Sequence, residues 1–286
     1  MERYYQFAGV ELAVTPPAGT DFFDDRNLAP FRVSAVTDPH RFVFSLTDTL
    51  TPPTGQLLAQ LPDYTVYGHG DDQIRYVGTV DGNWQTAAMR CAHQNKTHFV
   101  ELRQDIFPTG MTAKTLLNAC ATEHLAAAAD GFVLHAAYVA YEGGAILFTA
   151  PSGTGKSTQA ALWSDLRNAE IMNGDRAAVR ITERGTLAEG IPFSGSSQVC
   201  QRCSLPLRAI VYLSQAPQTT ACRLKGAQAF ARVWEGISVN VWDRQDVALV
   251  SETVQTLLEQ VPVYHLACTP DESAVIALEQ LLRKRE

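Results

Sequence analysis

Over the first hundred residues, apolar and polar positions alternate in short runs, at 31–36, 41–46, 64–67 and 73–79. A period of two predicts strands with one buried face. Turn formers separate them: Pro16-Pro17, Pro52-Pro53, Pro62-Asp63, Gly68-His69-Gly70 and Asp81-Gly82. Residues 97–103 predict one more strand. Pro108-Thr109-Gly110 then interrupts the chain and the periodicity changes. Leu116, Leu117, Cys120, His124, Leu125 and an alanine run follow helical spacing, which predicts a helix entering at Thr112 and stopping at Gly131.

Two apolar runs follow, 132–140, interrupted by His135, and 145–149, joined by Glu142-Gly143-Gly144. They predict a hairpin of buried strands. A helix is expected over 156–166, a strand over 170–172 and a buried strand over 207–213. Further helices are expected over 227–235 and 246–260, with a strand over 261–266. In the last helix Thr269 predicts the cap, Pro270 the first position and Glu272 a capping box, while Arg283, Lys284 and Arg285 suit its C-terminal end. The expected fold class is α/β, α+β overall. It has a β-rich N-terminal domain over 1–110 and an α/β domain over 111–286.

Composition narrows the function classes. The 286 residues are 46% hydrophobic and 19% charged, a globular balance too apolar for disorder. Thirty carboxylates against 23 Lys and Arg give a net charge of −7 and a pI near 5.5. There is no basic stripe, so nucleic acid is not an expected partner. No apolar run approaches the roughly 18 residues that a membrane span needs. The start lacks the basic and apolar regions of a signal peptide. Six scattered cysteines fit free thiols in a reducing cytoplasm.

One segment carries chemistry: Ala145-Ile-Leu-Phe-Thr-Ala-Pro-Ser-Gly-Thr-Gly-Lys-Ser-Thr158. An apolar strand enters a loop of small residues, and a helix begins at the lysine. That is the phosphate-binding (Walker A) pattern, with Ala150 where its first glycine stands. Backbone amides and a helix N-terminus can wrap a polyphosphate only where side chains are small. Ser152, Gly153, Thr154, Gly155, Lys156, Ser157 and Thr158 are therefore the expected nucleotide-binding residues. Lys156 is expected on the β- and γ-phosphates, and the Ser157 hydroxyl on Mg²⁺.

Asp175, in Asn173-Gly174-Asp175-Arg176, stands 19 residues after Lys156 at the end of the next predicted strand. It could hold Mg²⁺ or accept a substrate hydroxyl's proton; the bland alternative is a surface turn. His135 lies on the strand paired with the loop strand. It is either a reacting group or a hydrogen-bonded core histidine. Arg176 could face phosphate or cover surface.

These motifs resemble those of the HPr serine kinase/phosphorylase superfamily and of phosphoenolpyruvate carboxykinases. The residues that carry the resemblance are Leu134-His135-Ala136-Ala137, Ser152-Gly-Thr-Gly-Lys-Ser-Thr158, Ala160-Ala-Leu-Trp163 and Asn173-Gly-Asp-Arg176. It covers residues 112–286 and is strongest over 131–180. It implies a P-loop kinase domain of the carboxykinase/HPr-kinase type, acting with ATP and Mg²⁺ on a Ser/Thr hydroxyl of a protein or peptide. Lys156, Asp175 and His135 would be catalytic, with Ser157 and Asp175 at the metal. Self-association is a further partner to consider. Two departures stand out. The family pairs two aspartates where this chain has Gly174-Asp175, and Gly190-Ile-Pro-Phe-Ser-Gly-Ser-Ser197 replaces the signature of true HPr kinases, which argues against HPr as substrate.

Weaker signals remain. Cys200-Gln-Arg-Cys203 is a lone CxxC without a second ligand pair for zinc. The stretch 194–202 is either a substrate loop or a solvated one, and Trp163 suits core packing. Asp21, Asp24, Asp25 and Arg26 read as a solvated turn. The rival functions are a nucleotide-binding sensor or assembly module that has lost catalysis, a carboxykinase-like enzyme acting on an oxo-acid, and an ordinary ATPase or metabolite kinase.

Overall fold

The computed structural model describes residues 1–20, 26–69, 72–79, 84–92, 96–107, 112–195 and 198–284. The Asp21–Asp25 part of the acidic cluster, the turns at Gly70, Asp81-Gly82 and Pro108–Gly110, Ser196-Ser197 and Arg285 lie outside the described residues. The chain divides into two compact units, Met1–Leu125 and Ala126–Glu286. Among the described residues it is a mixed fold with two large sheets and six α-helices.

The first unit carries β1 (Arg3–Phe7), β2 (Val10–Thr15), β3 (Arg32–Val33), β4 (His40–Thr47), β5 (Gln56–Gln60), β6 (Tyr64–His69), β7 (Asp72–Thr79), β8 (Trp84–Ala92) and β9 (Thr97–Arg103). They form one sheet in the order β3-β1-β2-β4-β9-β8-β7-β6-β5. The alternating pattern does its work here: Phe42 and Phe44 of β4 point into the core with Tyr5, Leu12 and Val100. Residues 31–36 behave differently from expectation. A 3₁₀ turn over Ala29–Phe31, opened by Pro30, buries Phe31, and only Arg32 and Val33 pair with β1. Arg75 of β7 is buried because Glu123 takes its guanidinium at 2.6 Å and the Tyr64 ring lies beneath it at 4.2 Å.

The helix expected over 112–131 is two helices, α1 (Ala113–Ala119) and α2 (Thr122–Ala128). Thr112 caps the first as predicted, accepting from the Thr115 amide at 3.2 Å. The break follows from Thr122, whose hydroxyl donates to the Leu117 carbonyl at 2.9 Å, and Ala121 takes a left-handed φ of 48°.

The second unit holds β10 (Gly131–Tyr141), β11 (Gly144–Thr149), α3 (Lys156–Arg167), β12 (Glu170–Asn173), β13 (Arg176–Thr182), β14 (Gly185–Glu189) and β15 (Ser204–Gln215). After these come β16 (Thr220–Leu224), α4 (Gly226–Trp234), β17 (Ile237–Ser238), α5 (Arg244–Gln260), β18 (Val263–Cys268) and α6 (Glu272–Arg283). The β10–β11 hairpin is as read from its two apolar runs, with Ala140 opposite Ala145 and Ala136 opposite Thr149. Strands β11, β10, β13, β14 and β15 pair in sequence, and β15 returns to pair with β11 in parallel, so the five close into a circuit. Beyond it, β18 pairs β15 and β16 pairs β18.

Helices cover both faces. Leu134, Ala136, Tyr138, Leu147 and Ile210 pack on one face against Val250, Val254 and Leu257 of α5. Ala137, Val139, Phe148 and Val211 pack on the other against Trp163 of α3 and Leu278 of α6. Burial on both sides explains why these strands read as continuous apolar runs. Trp163 is fully buried, in edge contact with Tyr141. None of the described helices is long and apolar enough to cross a membrane.

Several boundaries differ from the sequence reading, and two have a clear physical reason. The strand expected over 261–266 is Val263–Cys268, because Val261 closes α5 and Pro262 has no amide to give a ladder. The last helix is capped by Asp271, which accepts from the Ser273 amide at 2.9 Å; Thr269 and Pro270 lie before it. A carboxylate cap also brings negative charge to the helix N-terminus.

The stretch 190–203 folds back on itself. The Gly190 amide donates to the Cys203 carbonyl at 2.9 Å, and the Gln201 amide to Met172 at 3.0 Å. A Cβ on Gly190 would lie 1.9 Å from the Gln201 carbonyl oxygen, an atom of the backbone that cannot swing aside. Gly190→Ala is expected to cost about 1–3 kcal/mol through overpacking. A thermal or urea unfolding curve checks this, and an unchanged midpoint would show that the loop is not held as described.

Candidate functional site

The Gly-rich loop leaves β11 at Thr149 and reaches α3 at Lys156. Gly153 and Gly155 have φ values of 78° and 117°, in the left-handed region. A Cβ at either would meet nothing within 4 Å, so the requirement for glycine is one of backbone conformation, not space. Gly155 occupies the N-cap of α3 without offering a side-chain acceptor. The first-turn amides are therefore not consumed by a capping side chain. Ser157 and Thr158 are exposed on that first turn.

Lys156 is 7% exposed and folds over the loop, donating to the carbonyls of Ala150 at 2.9 Å and Pro151 at 3.3 Å. Burial pushes its ammonium below the usual lysine range, and the negative charge of Asp175 pulls it partly back. Ala150, in place of a glycine, is buried and contributes only its carbonyl to this arrangement.

His135 and Asp175 come together. His135 sits on β10 opposite Arg176 of β13, and its Nε2 lies 3.3 Å from Asp175 Oδ1. The hydrogen bond from His135 holds the Asp175 carboxyl below the ordinary range. Burial opposes this, and the charges of Arg176, His135 and Lys156 add to the lowering. Arg176 Nε stands 3.5 Å from Asp175 Oδ2, while its Nη1 donates to Ser238 at 2.9 Å and its guanidinium lies over the Phe193 ring. The Asp175 region is thus an ionised carboxylate flanked by a histidine, an arginine and a lysine, beside the loop's first helical turn.

What positions the carboxylate is Asn173, which stands in the Asn-Gly-Asp-Arg motif without a role read from the sequence. Asn173 is fully buried. Its Oδ1 accepts the amides of Asp175 at 2.9 Å and Arg176 at 3.0 Å, and its Nδ2 donates to the Phe193 carbonyl at 2.6 Å. The Asn-Gly-Asp sequence signals such a turn. Nothing in it signals that the same side chain also ties down the 190–203 stretch. Gly195 of that stretch presses on Asp175: a Cβ there would lie 2.8 Å from the Asp175 Cβ. Behind His135, its carbonyl accepts from Thr149 Oγ1 at 3.0 Å and its amide donates to Gly236, where a Cβ would sit 2.4 Å from Thr149 Oγ1.

A cavity of about 390 Å³ opens from the loop itself: Gly153, Thr154 and Gly155 form one wall, and Thr158 and Gln159 of α3 with the ends of β15 and β18 form the rest. The cysteine pair lies elsewhere: the Cys200 thiol donates to the Ile191 carbonyl at 3.0 Å, and Cys203 packs against the core.

Replacing His135 by Ala removes the main influence holding the Asp175 carboxyl low. Its pKa is expected to rise in His135→Ala, read by a carboxyl-carbon NMR titration of Asp175. An unmoved titration would mean that the two side chains do not pair in solution.

Among curated proteins none matches this chain. Among solved structures, the Hpr(Ser) kinase/phosphatase from Coxiella burnetii superposes with a TM-score of 0.30 and 11% identity, over 54% of this chain and 95% of that one. At that distance no residue role is taken from it. The family described as SynChlorMet cassette protein ScmC matches residues 109–282, more than half of the sequence, which includes the Gly-rich loop, His135 and Asp175. The chain belongs to the ScmC family.

Proposed function

We propose that the second unit binds ATP with Mg²⁺ and transfers the γ-phosphoryl group to a Ser or Thr hydroxyl of a protein or peptide. The observation that carries this reading is the 3.3 Å His135–Asp175 pair set beside a Gly-rich loop whose lysine feels the Asp175 charge. Phosphoryl transfer asks for a phosphate cradle, a positive charge at the terminal phosphates and a carboxylate facing the acceptor. The left-handed glycines and open first-turn amides of α3 supply the first. Lys156, released from the Ala150 and Pro151 carbonyls, supplies the second.

Asp175 supplies the third. The acceptor hydroxyl gives its proton to the carboxylate while its oxygen bonds to the γ-phosphorus, and the bond to the β,γ-bridging oxygen breaks, releasing ADP. His135 keeps the carboxylate ionised and oriented, and Arg176 adds positive charge on its far side. Ser157 and Asp175 offer a hydroxyl and an ionised carboxylate, hard oxygen donors of the kind Mg²⁺ takes, and these two residues would hold it. When bound, the ion neutralises charge on the phosphates.

A second reading rests on Gly174. With glycine beside Asp175, one carboxylate is left for both the metal and the proton, which suits a module that binds nucleotide without turning it over.

Label transfer from γ-labelled ATP to a degenerate Ser/Thr peptide library separates the two. Asp175→Asn is expected to retain ATP binding and to lose transfer by about 100- to 10,000-fold, the scale of a lost general base. Lys156→Ala is expected to lose both. If Lys156→Ala binds ATP as the native chain does, the loop is not a phosphate site. ATP binding without transfer to any acceptor favours the binding module.

A further inference from the structure

The cavity that opens from the loop differs in character from the other groove of the second unit. The protein carries a net charge of −7, yet none of the eleven residues lining this cavity is an Asp, Glu, Lys, Arg or His. The Cys268 thiol on its wall is kept neutral, since burial pushes it up. By contrast, the larger open groove of the same unit, along β13 and α5, is lined by Asp130, Arg180, Glu183, Arg184 and Glu252. A neutral cavity adjoining a loop shaped for anions suits the uncharged part of a molecule whose other end is a polyphosphate. Its size falls in the range of small-molecule sites.

The strand order gives the direction. β11, which carries the loop, has β10 on one side and β15 on the other. His135 and Asp175 belong to the β10 flank, and the cavity to the β15–β18 flank. A nucleotide lying across the loop with its last phosphate toward Asp175 must put its nucleoside end into the cavity. Thr158, two residues beyond Lys156 on α3, stands on the cavity side.

The wall offers specific groups. Leu213 and Pro270 provide apolar surface for a ring, and Gln159, Gln215 and Thr269 add polar side chains to the wall. Gln159 is 2% exposed. Its Nε2 donates to Cys268 Sγ at 3.3 Å, and its Oε1 is buried without a hydrogen-bond partner. An unmet buried carbonyl is costly, and the exocyclic amino group of a purine is a donor that would meet it.

We infer that this cavity is the nucleoside subsite of the chain, taking a purine whose amino edge is read by Gln159. The inference rests on the proposed phosphate site and adds to it the base, the residues that select it and the polarity of the bound nucleotide.

Calorimetric titration of the full chain with Mg²⁺ and three probes, ATP, CTP and inorganic tripolyphosphate, tests it. ATP is expected to bind roughly tenfold or more tightly than CTP or tripolyphosphate, the scale of one buried hydrogen bond with its ring contacts. Gln159→Leu should weaken ATP binding by roughly tenfold and leave tripolyphosphate where it was. Thr269→Tyr, which adds a ring to the cavity wall at a second position, should also weaken ATP and leave tripolyphosphate where it was. Equal binding of ATP and tripolyphosphate by the native chain overturns the subsite, and CTP binding as tightly as ATP overturns the purine. A Gln159→Leu loss shared equally by all three probes shows only a structural role and also overturns it. If tripolyphosphate does not bind at all, the phosphate site itself is wrong and the subsite falls with it.

Discussion

The candidate site hangs on the buried carboxamide of Asn173. Its oxygen gathers the amides of Asp175 and Arg176, and its nitrogen holds the carbonyl of Phe193. A turn that ends a strand would ordinarily leave those amides to water. Here one side chain satisfies them from beneath, so the Asp175 side chain is presented at a fixed place beside the Gly-rich loop. The same group anchors the 190–203 stretch that lies against it. A buried carboxamide with donors and acceptors both engaged is costly to disturb, because any loss leaves an unmet polar group in the interior.

Charge in the second unit is handled locally. The chain as a whole is acidic, which would repel a polyphosphate at long range. The loop answers with backbone amides, a lysine partly stripped of water and the open end of a helix, all within one turn of chain. Asp175 is stabilised in its charged form mainly by a hydrogen bond from His135, with three nearby cationic or potentially cationic side chains in support. The neutral walls of the cavity continue from the loop's own Gly153, Thr154 and Gly155. An acidic protein can in this way offer an anion cradle and an uncharged cavity side by side without a basic surface.

Much of this was legible in the sequence, and the reason is physical. The strand, small-residue loop and helix of 145–166 are dictated by local rules: apolar run, glycines, then helix formers. They appear in the structure at those positions. The pairing of β10 with β11 could be read because two apolar runs flank a Glu-Gly-Gly turn, and it is this pairing that brings His135 to the loop. The helix over 112–131 was misjudged because side-chain competition by Thr122 is invisible to periodicity. The cap of α6 falls at Asp271, two residues beyond the expected Thr269, because the Asp271 carboxylate takes the Ser273 amide. The Asn173 turn is signalled locally, but its hold on Phe193, and the close approaches of Gly190, Gly195 and Gly236, are contacts with residues distant in sequence that nothing nearby announces.

The closed circuit of β10, β11, β15, β14 and β13 has a bearing on how securely all this is placed. In an open sheet a strand can slide past one neighbour and pay only at one ladder. Here β11 is laddered on both sides, and each of its neighbours belongs to the same ring. A slip of one residue would carry His135 from the α3 face of β10 to the face covered by α5, exchanging its place with an apolar neighbour. Sliding any one strand would require the whole ring to shift with it. The circuit therefore acts as a register lock: it counts residues, and the histidine, the loop and the cavity wall keep their relative places because that count cannot change by one.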